Sequence, residues 1–246
     1  MPFTLCHPAA ALPLWNVSRR RFRLAALVIG SVTPDYEYFL HLNAVGHVGH
    51  TLPGLFLLCL PAGWLSLWLF DRSGRRGVET LLPAAWHLPP APPGPYRILT
   101  ISAALLVGAA SHLVWDAFTH ASGWGVRLLP VLTASVSLGP WTVPCFKVLQ
   151  HGSSLTGLGV LGALVWRWMR RQPTVPRREL LWRALLPGAF LAAAGLANSL
   201  RFWSHGFQQI LVSGGVAVTL ALGTGLVFLG LWKASFRVRE PKGEAN

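Results

Sequence analysis

Residues 98–120, ILTISAALLVGAASHLVWDAFTH, are an apolar run of membrane length that closes on His112, Asp116 and His120. On a helix these three recur every fourth residue, so they project from nearly one face, each about 6 Å along the axis from the next. Imidazole and carboxylate are ordinary donors for zinc and similar ions, and a pair at i and i+4 can hold one. The outer two lie roughly 12 Å apart along the axis, too far for one ion to take all three easily, so Asp116 could instead bridge two ions. The bland alternative is a buried polar cluster that hydrogen-bonds between helices, or a proton relay.

Composition says what solvent that helix sees. Of 246 residues, 52% are hydrophobic and only 12% charged, and the mean hydropathy is +0.47, which excludes an ordinary water-soluble domain. The formal charge of +13 raises nucleic acid as a partner. The Lys and Arg residues, however, gather in short stretches at 19–23, 72–76, 167–183 and 233–242, beside apolar segments. That is the positive-inside pattern of a polytopic membrane protein, and no nucleic-acid partner is expected. Cys6, Cys59 and Cys145 form no CxxC pair and imply no disulfide framework.

Working outward from residues 98–120, hydropathy and charge predict an all-α polytopic helical membrane protein with about seven transmembrane helices. The expected crossings are 2–15, 24–40, 51–70, 98–118, 155–169, 180–200 and 210–232, with the arginines at 19–23 in a cytoplasmic turn. Residues 121–150, rich in Gly, Pro and Ser, are expected to be a re-entrant or surface segment, because a crossing there would put the arginines of 167–183 outside. The stretch WHLPPAPPGPY, 86–96, reads as a polyproline-type connector carrying a solvated His87. The whole chain, 1–246, is expected to be one integral-membrane domain, with motifs in 1–155 and further helices and a tail in 156–246. The N-terminus is expected outside and the C-terminus in the cytoplasm. Most of the 12 Trp fall near proposed span ends, as an interfacial belt requires.

This topology sorts the polar residues by side. His7, Asp35, Glu37, His47, His50, His112, Asp116, His120 and His151 all fall at the outer ends of proposed spans. Acids and histidines at such depth are costly unless paired or functional, and three of only eight acids lie in this layer. One shared site is therefore expected, with His7 and Asp35 meeting His112 and Asp116. His41 and His205 are left uncommitted.

The segments MPFTLCHPAA, GSVTPDYEYFL, GHTLPG, SHLVWDAFTH and QHGSS, in this order over roughly the first 155 residues, resemble a bacterial membrane family of unknown function. That family is similar to the YdjM-like proteins, described as membrane-bound metal-dependent hydrolases, and the HxxxD pair also resembles the ligand pattern of zinc-dependent phospholipase C. The resemblance maps onto His7 in the opening motif, Asp35 after Pro34, His50 before Thr51, and His112 and Asp116 in HxxxD, with His120 completing that motif. His151 and Ser153 fall in QHGSS. GHVGHT stands where YdjM-like proteins carry a longer histidine-containing stretch.

Residue layer and resemblance together lead to an expected function: a metal-dependent hydrolase at the outer face of the cytoplasmic membrane, acting on a phosphoester or ester of a lipid or envelope component. His7, Asp35, His50, His112, Asp116 and His120 would hold a divalent metal, with zinc expected. His151 would orient substrate or leaving group, and Glu37 is a candidate general base. The partners are the lipid bilayer and such a substrate. The rival reading is a proton- or metal-coupled transporter, or a membrane assembly protein, using the same His/Asp layer.

Overall fold

The computed structural model describes residues 4–43, 45–88, 97–202 and 207–237. The connector beyond Leu88, His205 and the last part of the tail lie outside them. The described chain is helical: α1 (Pro8–Val17), α2 (Leu24–Gly30), α3 (Tyr36–His41), α4 (Leu52–Leu81), α5 (Ile98–Thr119), α6 (Trp124–Leu128), α7 (Cys145–Met169), α8 (Arg177–Leu200) and α9 (Phe207–Arg237). One antiparallel hairpin interrupts it, β1 (Ser135–Leu138) with β2 (Trp141–Pro144), paired so that Ser135 lies opposite Pro144. Five helices are long and apolar enough to cross a membrane: α4, α5, α7, α8 and the Val212–Lys233 part of α9. Their large apolar side chains are widely exposed, Leu57 at 75% and Leu99 at 80% among them, which water would not tolerate but lipid would.

The first two expected crossings are not helices of that length. α1 has 10 residues and α2 has 7, about 15 and 10 Å against a hydrocarbon layer of about 30 Å. Hydropathy adds up apolar residues without seeing what stops a helix. α1 ends before Arg19 and Arg20, both with left-handed backbone at φ 51° and 61°, a tight reversal. α2 ends where the Thr33 hydroxyl donates to the Gly30 carbonyl at 2.8 Å and Pro34 begins a single 3-10 turn, Thr33–Asp35. Arg19 and Arg21 border a recess with Val107, midway along α5, so this turn is not level with Arg97 at the helix start, as the expected cytoplasmic turn would be. The long arginine stems can still carry their charge toward water from there. α7 begins at Cys145, earlier than the expected 155, and takes His151 into its second turn. Residues 121–144 hold only α6, a 3-10 turn and the hairpin, and no helix of crossing length.

The chain packs as two compact units. One joins Met1–Trp64 to Pro92–Met169, the other Leu65–Ala91 to Arg170–Asn246. In the first, α2 lies against α5 with almost nothing between the backbones. Ala26, Leu27, Ala104 and Leu105 are buried here, and a Cβ on Gly30 would overlap the Leu105 carbonyl oxygen, as one on Gly108 would overlap that of Leu27. Small residues matter here because lipid supplies no hydrophobic drive for helix pairing, leaving close packing and interhelical hydrogen bonds to hold it. In the second unit, α8 packs on α9 in the same manner: Gly195 meets Val218, Asn198 Nδ2 donates to the Ser213 carbonyl at 2.8 Å, and Ser199 Oγ donates to that of Ile210 at 2.9 Å.

Gly108→Val should push α2 off α5 and destabilise the first unit by about 1–3 kcal/mol, the usual cost of overpacking. A lowered thermal midpoint in detergent checks this, with Ala103→Val, on the same helix but only half-buried, as the control expected to shift less.

Candidate metal centre

α5 places His112 and Asp116 one turn apart on the face turned to α2, and both are buried, His112 at 1% exposure and Asp116 at 8%. The α2 end supplies the next partners. With the Ser31 hydroxyl donating to the Val28 carbonyl at 2.8 Å, the Ser31 carbonyl itself receives the Nδ1–H of His112, also at 2.8 Å. A carbonyl only accepts, so this contact fixes the proton on Nδ1 and leaves Nε2 of the neutral ring as a lone-pair donor. The 3-10 turn after α2 then carries Asp35, wholly buried, whose Oδ2 accepts from the Thr4 hydroxyl at 2.6 Å.

Asp35 Oδ1 is 3.4 Å from His112 Nε2 and 3.4 Å from His50 Nε2. Asp116 Oδ2 is 3.4 Å from His112 Nε2 and 3.6 Å from His50 Nε2. These separations exceed the 2.7–3.2 Å of good N–H···O bonds. Each is about the length of one edge of a tetrahedron whose donors sit about 2.0–2.2 Å from a central ion, roughly 3.3–3.6 Å. Six buried side-chain atoms of the cluster, His7 Nδ1 and Nε2, Asp35 Oδ1, His50 Nδ1, His112 Nε2 and Asp116 Oδ1, have no hydrogen-bond partner among the described residues. Leaving so many polar atoms unmet is costly, and a cation between the facing lone pairs removes much of that cost. His7 Asp35 His112 and His50 His112 Asp116 are each grouped tightly enough to hold a metal ion.

His7, at the entry to α1, stacks on His112 with ring centroids 3.7 Å apart and 14° between planes, and its Nε2 is 3.7 Å from Asp116 Oδ1. Burial is the main cause that pushes its imidazole down to about 3, so it is a neutral ring. At His50 burial also lowers, but the Asp116 and Asp35 carboxylates prevail and push the imidazole up to about 9. The same carboxylates that hold a proton there would hold a metal ion in its place.

The other expected residues take different places. Glu37 stands outside the cluster: its Oε2 accepts the Gly49 N–H at 2.7 Å. Burial pushes its carboxyl up, and the N–H groups of Gly49, Val48 and His47 outweigh this and hold it below the usual range. Gly49 is pressed so closely on the Pro34 carbonyl that a Cβ would overlap it, so Glu37 secures the loop that delivers His50. His120, the residue after α5, turns its Nδ1 back to the Asp116 carbonyl at 3.0 Å and belongs to neither ligand group. His151 is exposed on α7, outside the cluster; from QHGSS it is Ser153 that reaches α5, accepting from Trp115 Nε1 at 3.0 Å. Thr4, the Ser31 carbonyl and Tyr38, whose hydroxyl is 3.4 Å from His50 Nε2, complete the surroundings. Nothing in the sequence singled them out beyond their nearness to His7, Asp35 and Glu37.

A cavity of about 720 Å³ adjoins the cluster, with His50, Asp116 and His120 among its lining residues and Leu52, Leu113 and Val114 among its apolar ones. Another, of about 580 Å³ in the second unit, is lined by Trp182, Phe190, Leu226 and similar residues, with no acid or histidine among those lining it. The first is the one next to chemistry.

A family model for a domain of unknown function, DUF4184, matches residues 1–231, and the chain belongs to that family. No curated protein and no solved structure matches it.

Metal analysis of purified protein should find a bound divalent ion that Asp35→Asn or His112→Ala removes. Glu37→Ala should leave the site present but lower metal affinity about 10–100-fold, as loss of a supporting group does. Unchanged metal content across all three variants would remove the cluster as the ligand set.

Proposed function

We propose that the chain is a metal-dependent hydrolase working at the outer face of the cytoplasmic membrane on a phosphoester or ester of a lipid or envelope component. The observation that carries this reading is the pairing of Asp35 and Asp116 with His50 and His112, nitrogen to oxygen at 3.4–3.6 Å, beside an open cavity. Similarity of the motifs to YdjM-like hydrolases and to the HxxxD pair of phospholipase C points the same way. A bound zinc-like ion would supply a water of lowered pKa and polarise the ester oxygen.

The residues divide the rest. Asp35 and His112 have side chains at 0% exposure, whereas those of His50 and Asp116 are at 22% and 11%, so the ligand set is closed on the α2 side and accessible from the cavity. That is where a catalytic site keeps an exchangeable position. His7 packs the closed side with a neutral ring. With its Nδ1–H donated to the Asp116 carbonyl, His120 has the Nε2 lone pair left to take the proton of the attacking water and pass it to the leaving oxygen. In hydrolysis water gives its hydroxyl to the phosphorus or acyl carbon, the ester bond breaks, and the remaining proton goes to the leaving oxygen. Two features of the first unit support the outward orientation: Arg97 precedes α5 while Asp116 is near its end, and Arg167 is in the last turn of α7 while Ser153 is near its start.

Purified protein should cleave a chromogenic phosphodiester or ester, lose that activity on chelation and regain it with zinc. Asp35→Asn should lower kcat by more than the roughly 10–100-fold that supporting groups cost. Metal bound at stoichiometry with no cleavage of either class of ester would refute the hydrolase. Orientation has its own test. With Cys145 replaced by Ser, a cysteine at the exposed Ser122 should react with an impermeant thiol reagent added outside intact cells, and reaction only after permeabilisation would invert the topology.

A further inference from the structure

The cavity beside the cluster has two unlike walls. Its apolar lining includes Leu52 and Leu55 from the start of α4 and Val114 from α5, residues of two helices of membrane-crossing length. Leu52 is 74% and Val114 51% exposed, so this wall is open to its surroundings along two helices long and apolar enough to cross a membrane. A water-soluble ester would gain little from such a wall. A membrane lipid could keep its chain at the depth it already occupies while its head reaches His50 and Asp116, with no cost of extraction.

The remaining feature is Arg127, on α6. Gly123 sits so close to the Ala117 carbonyl that no side chain would fit, and Trp124 meets Phe118 edge-on at 5.3 Å, so α6 is held on the end of α5. Arg127 lines the cavity from there, and among the described residues its side chain has no hydrogen bond or ion pair. Lys147 already donates to Gln150 Oε1 at 3.0 Å. The positive-inside bias leaves an outer face poor in cations, so an uncommitted guanidinium at the mouth of a cavity there is unlike the clustered arginines elsewhere. Its planar fork suits a phosphate or carboxylate.

We propose that this cavity takes a net-anionic phospholipid, with an acyl chain along Leu52, Leu55 and Val114, the ester at the His/Asp cluster, and Arg127 paired with the headgroup anion. The inference rests on the hydrolase reading for what happens to the ester, but not for binding.

Binding is measured with the zinc-loaded full chain in detergent, using fluorescent phosphatidylglycerol and phosphatidylcholine analogues made non-cleavable by ether-linked chains and a phosphonate linkage. The protein should bind the phosphatidylglycerol analogue about tenfold tighter; Arg127→Gln should abolish that preference and Arg127→Lys retain part of it. Val114→Trp, at a half-exposed position that tolerates bulk, should weaken both lipids about tenfold by filling the apolar wall. Inorganic phosphate at millimolar concentration should not compete. Equal binding of the two lipids by the unaltered protein, a preference that survives Arg127→Gln, or displacement by phosphate alone would each overturn the proposal, the last by making a soluble anion the ligand. The expected lipid preference without cleavage of any ester would keep this inference and remove the hydrolase. Cleavage of soluble esters without lipid preference would do the reverse.

Discussion

The hydrogen bond from His112 Nδ1 to the Ser31 carbonyl is the contact on which the first unit depends. It ties α5 to the end of α2 and, in the same stroke, decides which nitrogen of His112 faces the two carboxylates. It forms only because Gly30 and Gly108 let the two backbones meet at van der Waals distance. Were α2 displaced outward by a single methyl group, the imidazole would lose its acceptor and its tautomer, and Asp35 would lose its place opposite Asp116. Packing and chemistry are therefore not separable at this seam. A small-residue interface of the kind that holds many membrane helices together here also sets which ring nitrogen of a candidate ligand faces the carboxylates.

Two carboxylates, Asp35 and Asp116, share this interior, and their spacing bears on the readings open to a polar cluster. A hydrogen-bonded network would draw donors and acceptors within about 3.2 Å and leave few atoms unmet. Here the four nitrogen–oxygen separations stand at 3.4–3.6 Å about the centre of the cluster, whose two tight groups share His112. The groups that do make short bonds, Thr4 to Asp35 Oδ2 and His112 Nδ1 to Ser31, use the atoms facing away from that centre. Outer partners that orient ligands while leaving their inner atoms unspent are what a metal site needs.

Much of this was legible in the sequence, for identifiable reasons. His112 and Asp116 follow the helical repeat, so their common face could be read directly; His7 and Asp35 were expected at the same end from flanking arginines, although the turn at Arg19–Arg21 lies beside Val107 and not at the far end. What hydropathy could not show is where a helix stops. The hydroxyl of Thr33 and the left-handed pair Arg19–Arg20 end α2 and α1 after two or three turns, yet the apolar composition of 2–15 and 24–40 matches that of a crossing. Glu37 and His151 illustrate a second limit. An acid two residues from a ligand and a histidine in a motif both have the right chemistry, but the turn of α3 sends Glu37 to Gly49, and the start of α7 at Cys145 rotates His151 to the surface.

The wide separation of the ligands along the chain has a consequence in time. His7 and Asp35 are made long before His112 and Asp116, and at ~5–20 residues per second the interval from His7 to Asp116 is roughly 5–20 s. Until α5 inserts, Asp35 has neither His112 nor Asp116 to complete a cage, and α1 and α2, too short to span alone, have no groove to lie in. The two short helices must therefore wait, partly assembled, for a later helix to fold against, and an ion held by this cluster, as proposed, would be captured late in biogenesis, once the first unit has closed.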